Sequence, residues 1–385
     1  MRCGASYAMD PAATLCPRCG DGGEDPGVLD VVYDEDAIAR AWRVGRRNGR
    51  RDVFRYLPFL PLEEPGSGLM AGGTPLLTTP RLARELGIGT LLLKDETRNP
   101  TQCLKDRATA IATALAASGG HRDLYCASPG NAAISLAALC AWQGMRCHAF
   151  VPEKLSPNRL AWLERFGADV QVCPGSYDHA YQVAERIGRE RGWYSRNCAL
   201  NPFLVEGKKT AALEIAEQLE GRGPDLVVSP VGDGCTLAAL GKGFRQMRHC
   251  GGIDRIPRLL GVQAEACSPL VERYRGETSG SPPGGAEPGT DPPAVPTQAV
   301  SICVRRPRNA LRLLREIEQC GGELVGVSED TIETAQRRLG HLSGVAVEAS
   351  TAAALAGLER YAASNPLTDA VVVLILTGGR IDPPG

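Results

Sequence analysis

No charge of one sign dominates this chain of 385 residues: 43 Lys and Arg stand against 44 Asp and Glu, a formal net charge of −1. That balance excludes a global field recruiting nucleic acid or an anionic membrane, so any phosphate or carboxylate must be caught by a local arrangement. Long apolar runs are missing too. None reaches the roughly 20 residues a membrane-spanning helix needs, so no membrane partner is expected. The opening stretch MRCGASYAMDPAATLCPRCG lacks a basic head followed by an apolar core and does not read as a secretory signal. There is no disulfide-type pattern either. Most of the 14 cysteines are scattered singly through helical and strand patterns, which suits buried thiols in a reducing compartment, with the cytoplasm as the expected location. The five histidines, His121, His148, His179, His249 and His341, show no ligand spacing and read as surface or core residues. No internal repeat is present.

What is there is an ordinary globular composition, 43% hydrophobic and 23% charged. The length predicts two domains, with room for a small appendage. The first 35 residues, rich in Cys, Gly, Pro and Asp, form an aperiodic, loop-rich knob. Beyond residue 90 the pattern becomes regular. Strands are predicted at TLLL (90–93), DLYCAS (123–128), RCHAFVP, DVQVCP, DLVVSPVG, RLLGVQAE and AVVVLILTGG. Helices are predicted from Lys105, at AAISLAALCAWQG, SPNRLAWLERFG, DHAYQVAERIGRERG, LEIAEQLEG, TLAALGKGFRQM and TAAALAGLERYAAS. Ser156 is the expected N-cap of the SPNRLAWLERFG helix, with Pro157 at its first position. Short apolar strands alternating with helices imply an α/β fold of parallel sheets covered on both faces. Such sheets bind ligands at the carboxyl ends of their strands. The stretch GETSGSPPGGAEPGTDPPAVP (276–296) cannot bury enough apolar surface to order itself and reads as a flexible surface insertion.

Four loops at strand ends carry chemistry. In LLLKDETRNPTQCLKDRATA (91–110), Lys105 opens a helix. The positive end of that helix and partial burial would both disfavour a protonated amine, as Schiff-base chemistry requires. ASPGNAA (127–133) brings Pro129, Gly130 and Asn131 to a helix start, a nest of donors for a carboxylate or ring oxygen. SPVGDGCT (229–236) sets backbone amides and the Thr236 hydroxyl at another helix N-terminus, a phosphate cradle that is neither a Walker motif nor G-x-G-x-x-G. LTGGRIDPP (376–384) delivers Thr377, whose hydroxyl could bond a ring nitrogen. Alone, each of these is a turn; their order and spacing together carry the argument.

With GGTPL (72–76), NPFLVEGKKT (201–210) and VEASTAAALAGL (347–358), these segments resemble the pyridoxal 5′-phosphate (PLP) dependent fold-type II enzymes (tryptophan synthase beta-like), and within them the threonine synthase group. The resemblance covers nearly the whole chain, and the NPT-x-x-x-KDR block is its most specific part. It implies a knob over 1–35, a large PLP-binding domain over 36–111 and 206–385, and a small domain over 112–205. Lys105 would carry the cofactor as a Schiff base and then shuttle protons. Asn131 would meet the ring hydroxyl, and Gly232, Asp233, Gly234, Cys235 and Thr236 the cofactor phosphate. Thr377 would face the pyridine nitrogen and leave it largely unprotonated, which suits elimination more than transamination. Ser128, Gly130, Asn131 and Ala132 would take the carboxylate of a small amino-acid substrate. The group is implied to convert O-phosphohomoserine to threonine and phosphate, and its fold type is commonly homodimeric.

The chain departs from that pattern in places. Leu204 stands where the group carries an arginine for the substrate phosphate; Lys208, Lys209, Lys154 and Arg159 are the candidate replacements. Pro129 removes one backbone donor. Gln102-Cys103-Leu104 replaces Gly-Ser-Phe, and Asp233 replaces Asn. These changes keep two alternatives open. One is β-elimination or β-replacement on serine, threonine or an O-activated serine, as in a dehydratase or a cysteate synthase-like enzyme. The other is a catalytically degenerate zinc-ribbon protein that acts by binding partners. Cys3, Cys16 and Cys19 resemble the group's zinc knuckle, with three of the four ligands a closed structural zinc site takes.

Overall fold

The computed structural model describes residues 2–20, 25–45, 49–175, 177–277 and 297–379. The insertion expected at 276–296 therefore lies outside the described residues from 278 onward, as does the end of the LTGGRIDPP segment from 380. Ten strands are described: β1 Leu76–Thr78, β2 Ile88–Asp95, β3 Asp123–Ala127, β4 Arg146–Pro152, β5 Asp169–Cys173, β6 Tyr194–Ser195, β7 Leu226–Pro230, β8 Arg258–Ala264, β9 Glu323–Val327 and β10 Leu367–Leu376. Twelve α-helices accompany them: α1 Glu35–Gly45, α2 Pro80–Leu86, α3 Lys105–Ser118, α4 Asn131–Gln143, α5 Pro157–Arg165, α6 Tyr177–Arg191, α7 Phe203–Gln218, α8 Cys235–His249, α9 Pro269–Arg275, α10 Ala310–Gln319, α11 Glu329–Ser343 and α12 Ala349–Ala362.

The strands form two sheets. One has six strands in the order β1-β2-β10-β7-β8-β9, and the other four in the order β5-β4-β3-β6. Only β1 runs antiparallel to its neighbour among the described pairs. Side chains alternate across a strand, and here that period sorts the core. Leu91, Leu93, Val372, Leu374, Leu226 and Val228 pack on one face of the large sheet with α11 and α12. Leu92, Val373, Ile375 and Val227 pack on the other with α7, α8 and α10. In the small sheet, Leu124 and Cys126 face α3 and α4 while Tyr125 and Ala127 face α6. Both sheets are thus covered on both sides, the α/β architecture expected. No described helix is long and apolar enough to cross a membrane.

Most predicted elements stand within a few residues of their expected ends. The differences have physical reasons. Ser156 occupies the N-cap position of α5 but makes no side-chain capping bond. The helix predicted at LEIAEQLEG begins ten residues earlier, at Phe203, so NPFLVEGKKT lies at its start and first turns. α3 and α7 pack so closely that a Cβ on Gly207 would lie 2.3 Å from Arg107 O, a contact only glycine permits.

Behind α3 lies a buried ion network. Arg107 donates to Glu96 (Nε–Oε2 2.7 Å) and to Thr74 and Thr210, and pairs with Glu214 at 2.7 Å. Lys94 pairs with Glu214 at 3.0 Å and donates to Thr74 O. Burial alone would raise the Glu96 carboxyl, but Arg107 holds it below its ordinary value. This network fixes the strand β2 and helix α3 between which the NPT-x-x-x-KDR loop runs.

Candidate active site

The first residue of α3 is Lys105, half-buried at the carboxyl edge of the large sheet. Its loop is laced to the end of β10: Leu104 N donates to Thr377 O (2.9 Å), and Gly379 N donates to Gln102 O (2.9 Å). Cys103 and Gly378 form an antiparallel bridge. Residues 102–104, where the chain departs from Gly-Ser-Phe, thereby bring Lys105 and Thr377 together.

Thr377 Oγ1 lies 3.0 Å from Thr351 Oγ1 on α12. Thr351 in turn donates to Gly378 O and accepts from Gly378 N, each at 3.0 Å. A hydroxyl has one hydrogen and two lone pairs. With the Thr351 hydrogen given to Gly378 O, the Thr377 hydroxyl donates to Thr351 here, and it must turn that hydrogen away from Thr351 to reach an acceptor beyond the strand end.

Asn131 opens α4 and is buried. Its Nδ2 donates to both carboxylate oxygens of Glu348, at 3.3 and 3.2 Å. Ser301 Oγ donates to Glu348 Oε2 at 3.1 Å. Burial pushes the Glu348 carboxyl above its ordinary value, while Asn131, Arg159, Ser301 and Lys105 oppose that shift. A Cβ on Gly378 would lie 2.8 Å from Glu348 Oε1 and 3.1 Å from Asn131 Nδ2. β10, α4 and α12 therefore converge on one spot, and Glu348, which sequence reasoning did not single out, is at its centre. The visible signal was its place in VEASTAAALAGL, just before a helix.

Ser128 and Gly130 are half-buried on the loop leaving β3, and Ala132, also half-buried, is the second residue of α4. Gly130 N donates to Ser128 Oγ (3.1 Å), and Arg159 Nη1 donates to Pro129 O (3.2 Å). Arg159 thus stands over the loop expected to take a substrate carboxylate. Leu204 is fully buried in the apolar core with Phe203, Leu124 and Ile134.

The segment expected to cradle phosphate is built for close backbone approach. Gly234 has φ +95°, which favours glycine, and no side chain caps the first turn of α8. A Cβ on Gly232 would meet Ile302 Cα at 3.2 Å. The Asp233 carboxylate accepts from Arg308 N (2.7 Å) and from Asn309 Nδ2. Burial holds it above its ordinary value, so it moves toward the neutral form that a nearby phosphate tolerates. Lys208, 1% exposed, reaches this segment and donates to Cys235 Sγ at 2.6 Å. Arg196 donates to Lys105 O at 3.3 Å, which joins the cradle side to the lysine side. Lys208 was foreseen only as a stand-in for arginine, and Arg196 was missed. The donors and glycine-backed amides suit a phosphorylated ring compound anchored on Lys105.

In the knob, the Cys3, Cys16 and Cys19 sulfurs lie within 4.8 Å of one another. Cys16 N closes the turn by donating to Gly27 O (2.7 Å), and Tyr7 Oη lies 3.2 Å from Cys16 Sγ. These thiols fit three corners of a tetrahedral zinc site, and no fourth Cys, His, Asp or Glu joins them among the described residues.

Residues 69–378 match the family described as pyridoxal-phosphate dependent enzyme. The chain is 33% identical to the threonine synthase of Methanocaldococcus jannaschii, over 100% of this chain and 92% of that one. It is also 33% identical to the threonine synthase of Methanosarcina acetivorans, over 100% and 91% respectively. Among solved structures, a threonine deaminase from T.th. aligns with TM-score 0.66 at 26% identity, over 81% of this chain and 94% of that one.

Proposed function

The chain belongs to the pyridoxal-phosphate dependent enzyme family, and on that footing we propose that it converts O-phosphohomoserine to threonine and phosphate, with Lys105 as the cofactor-bearing and proton-moving residue. The observation that carries this reading is the hydrogen-bonded junction of Leu104 with Thr377 beside the Asn131–Glu348 contact. That junction gathers the lysine, the ring-facing hydroxyl and the amide at one strand edge. Full-length similarity to two threonine synthases supports the reaction class.

When bound, PLP supplies an electron sink for carbanion chemistry at the substrate. In this reading, Gly232 to Thr236 would hold its phosphate, with Lys208 reaching the same segment. Asn131 would face the ring hydroxyl, and Thr377, with its hydrogen turned from Thr351, would donate to the ring nitrogen without protonating it. Ser128, Gly130, Asn131 and Ala132 hold the substrate carboxylate. Lys105 Nζ would take the α proton and then a β proton; phosphate would leave from Cγ, the two protons would return to Cγ and Cα, and water would add its hydroxyl at Cβ with its remaining proton passing to the phosphate. The two sheets belong to a large domain (36–111 and 206–385) and a small one (112–205), with the site between them. We read the protein as a cytoplasmic homodimer. All 14 cysteines are unpaired, in keeping with a reducing compartment. Zinc on Cys3, Cys16 and Cys19 is the corresponding reading of the knob, with a structural role.

Leu204 favours a second reading, β-elimination or β-replacement on serine, threonine or an O-activated serine. Its side chain is core, with no charge to offer a substrate phosphate. The test is to incubate the PLP-loaded protein with O-phosphohomoserine, serine, threonine and O-acetylserine, and to quantify phosphate, threonine, ammonia and acetate. Equal amounts of phosphate and threonine support the first reading. Ammonia or acetate without phosphate supports the second and overturns the first.

A further inference from the structure

Two cysteines meet where the reaction above uses neither thiol. Cys198 lies between β6 and α7, and Cys235 opens α8 inside the phosphate cradle. One ammonium touches both: Lys208 Nζ donates to Cys235 Sγ at 2.6 Å and to Cys198 Sγ at 3.3 Å. Arg196 Nη1 donates to Cys198 Sγ at 3.0 Å. Cys198 also packs against the small apolar cluster of Val205, Cys235 and Ala239. Two cations on one sulfur favour the thiolate, which is the reactive form. The thiols share their hydrogen unequally: the bond to Cys235 holds Cys198 well below the ordinary thiol range, with Arg196 and Lys208 adding to it, and holds Cys235 above. Cys198 is half-buried while Cys235 is 5% exposed, so an oxidant reaches Cys198 first.

We propose that Cys198 and Cys235 are an oxidisable thiol pair, and that their disulfide and the cofactor phosphate compete for the same end of α8. The second half rests on the reading of residues 232–236 as the phosphate cradle; the thiol chemistry does not. The oxidant is a peroxide. The Cys198 sulfur attacks one peroxide oxygen, the O–O bond breaks, and the departing hydroxide takes the thiol proton to leave as water. The sulfenic acid so formed is attacked by the Cys235 sulfur. The S–S bond forms, the S–O bond breaks, and hydroxide leaves with the Cys235 proton as a second water. Two thiols and one hydrogen peroxide give one disulfide and two waters.

The competition follows from charge and geometry. A phosphate dianion in the cradle draws on Lys208 and adds negative charge beside Cys198, which disfavours its thiolate. Each pK unit of that effect reduces the reactive fraction tenfold. In the other direction, an S–S bond of about 2 Å pulls residue 198 toward the first turn of α8. Cys198 O accepts from Asn309 Nδ2 at 3.2 Å, and Asn309 also donates to Asp233. The pull is therefore passed to the cradle loop itself.

The experiment treats the full-length protein, with and without PLP, with hydrogen peroxide and dimedone, then maps unreduced peptides by mass spectrometry. The PLP-free protein is expected to yield a peptide pair linked through Cys198 and Cys235, formed about tenfold faster than in the PLP-loaded protein. Cys235→Ser should trap Cys198 as the dimedone adduct, and Cys198→Ser should give neither product. Oxidised wild type should take up PLP poorly, by absorption, until dithiothreitol restores it. Absence of both linked peptide and Cys198 adduct, while other cysteines react, overturns the thiol pair. Equal rates with and without PLP overturn the competition. Failure of the cradle reading shows separately, as no PLP uptake by the fully reduced protein.

Discussion

The two sides of α3 differ in how their charges are answered. Behind the helix, Arg107, Glu96, Glu214 and Lys94 answer one another, charge to charge, with almost no exposure. In front, around Lys105, the ionisable groups are met by softer partners: Lys208 by two sulfurs, Asp233 by an amide and a backbone N–H, Glu348 by Asn131 and Ser301. A network of matched fixed charges has no capacity left for a ligand. A set of ionisable groups held by weaker partners does. The KDR triplet spans this boundary, with Lys105 in front and Arg107 behind, so one local sequence both builds the scaffold and presents the amine proposed to carry the cofactor.

The sharpest way to break that comparison is to remove the rear cation. Arg107→Met leaves Glu96 and Glu214 buried without their main partner, and should cost about 3–5 kcal/mol in urea unfolding. A change under about 1 kcal/mol would show that the rear network is not the scaffold. A somewhat smaller effect separates two neighbours on α7. Lys208 faces the sulfurs, whereas Lys209 is buried against Glu206, and burial pushes its amine down to about 8. A lysine with a lowered folded pKa carries a cost below that value which is relieved as pH rises toward its unfolded value near 10.4. The stability of wild type relative to Lys209→Met should therefore rise by about 3 kcal/mol between pH 8 and 10.4, read by urea midpoints across that range. A flat difference would mean that Lys209 is not perturbed. The smallest expected effect lies far from both networks. Ser156 makes no capping bond on α5, so Ser156→Ala should change thermal stability by less than about 0.5 kcal/mol, below the usual 0.5–2 for a lost cap.

How much of this was legible in the sequence follows the same divide between local and distant. The turn around Lys105, the Gly-Asp-Gly-Cys-Thr segment before α8 and the start of α4 at Asn131 are each contained in a few consecutive residues, so their strand–loop–helix form was legible. Glu348 was not legible as a site residue, because its partner Asn131 lies 217 positions away. The same holds for Arg196, whose partners Lys105 and Cys198 come from separate segments, and for the contact of Lys208 with Cys235, which lies in another strand–helix unit. The early start of α7 was hidden because NPFLVEGKKT reads as a motif before it reads as a helix. β9, α10 and α11 lie in a region for which no element had been predicted. Their strand and helices settle only by packing on β8, α8 and α12.

The central claim is that Lys105 carries the cofactor on a scaffold that stands without it. The most direct test is the visible absorption of purified full-length protein and of Lys105→Ala, each reconstituted with PLP, with unfolding measured alongside. The account predicts a lysine-bound cofactor band in the parent, its loss in the variant, and cofactor-free stabilities within about 1 kcal/mol of each other, as for a half-exposed side chain outside the ion network. A band that persists unchanged in Lys105→Ala, or its absence from the parent, would contradict it.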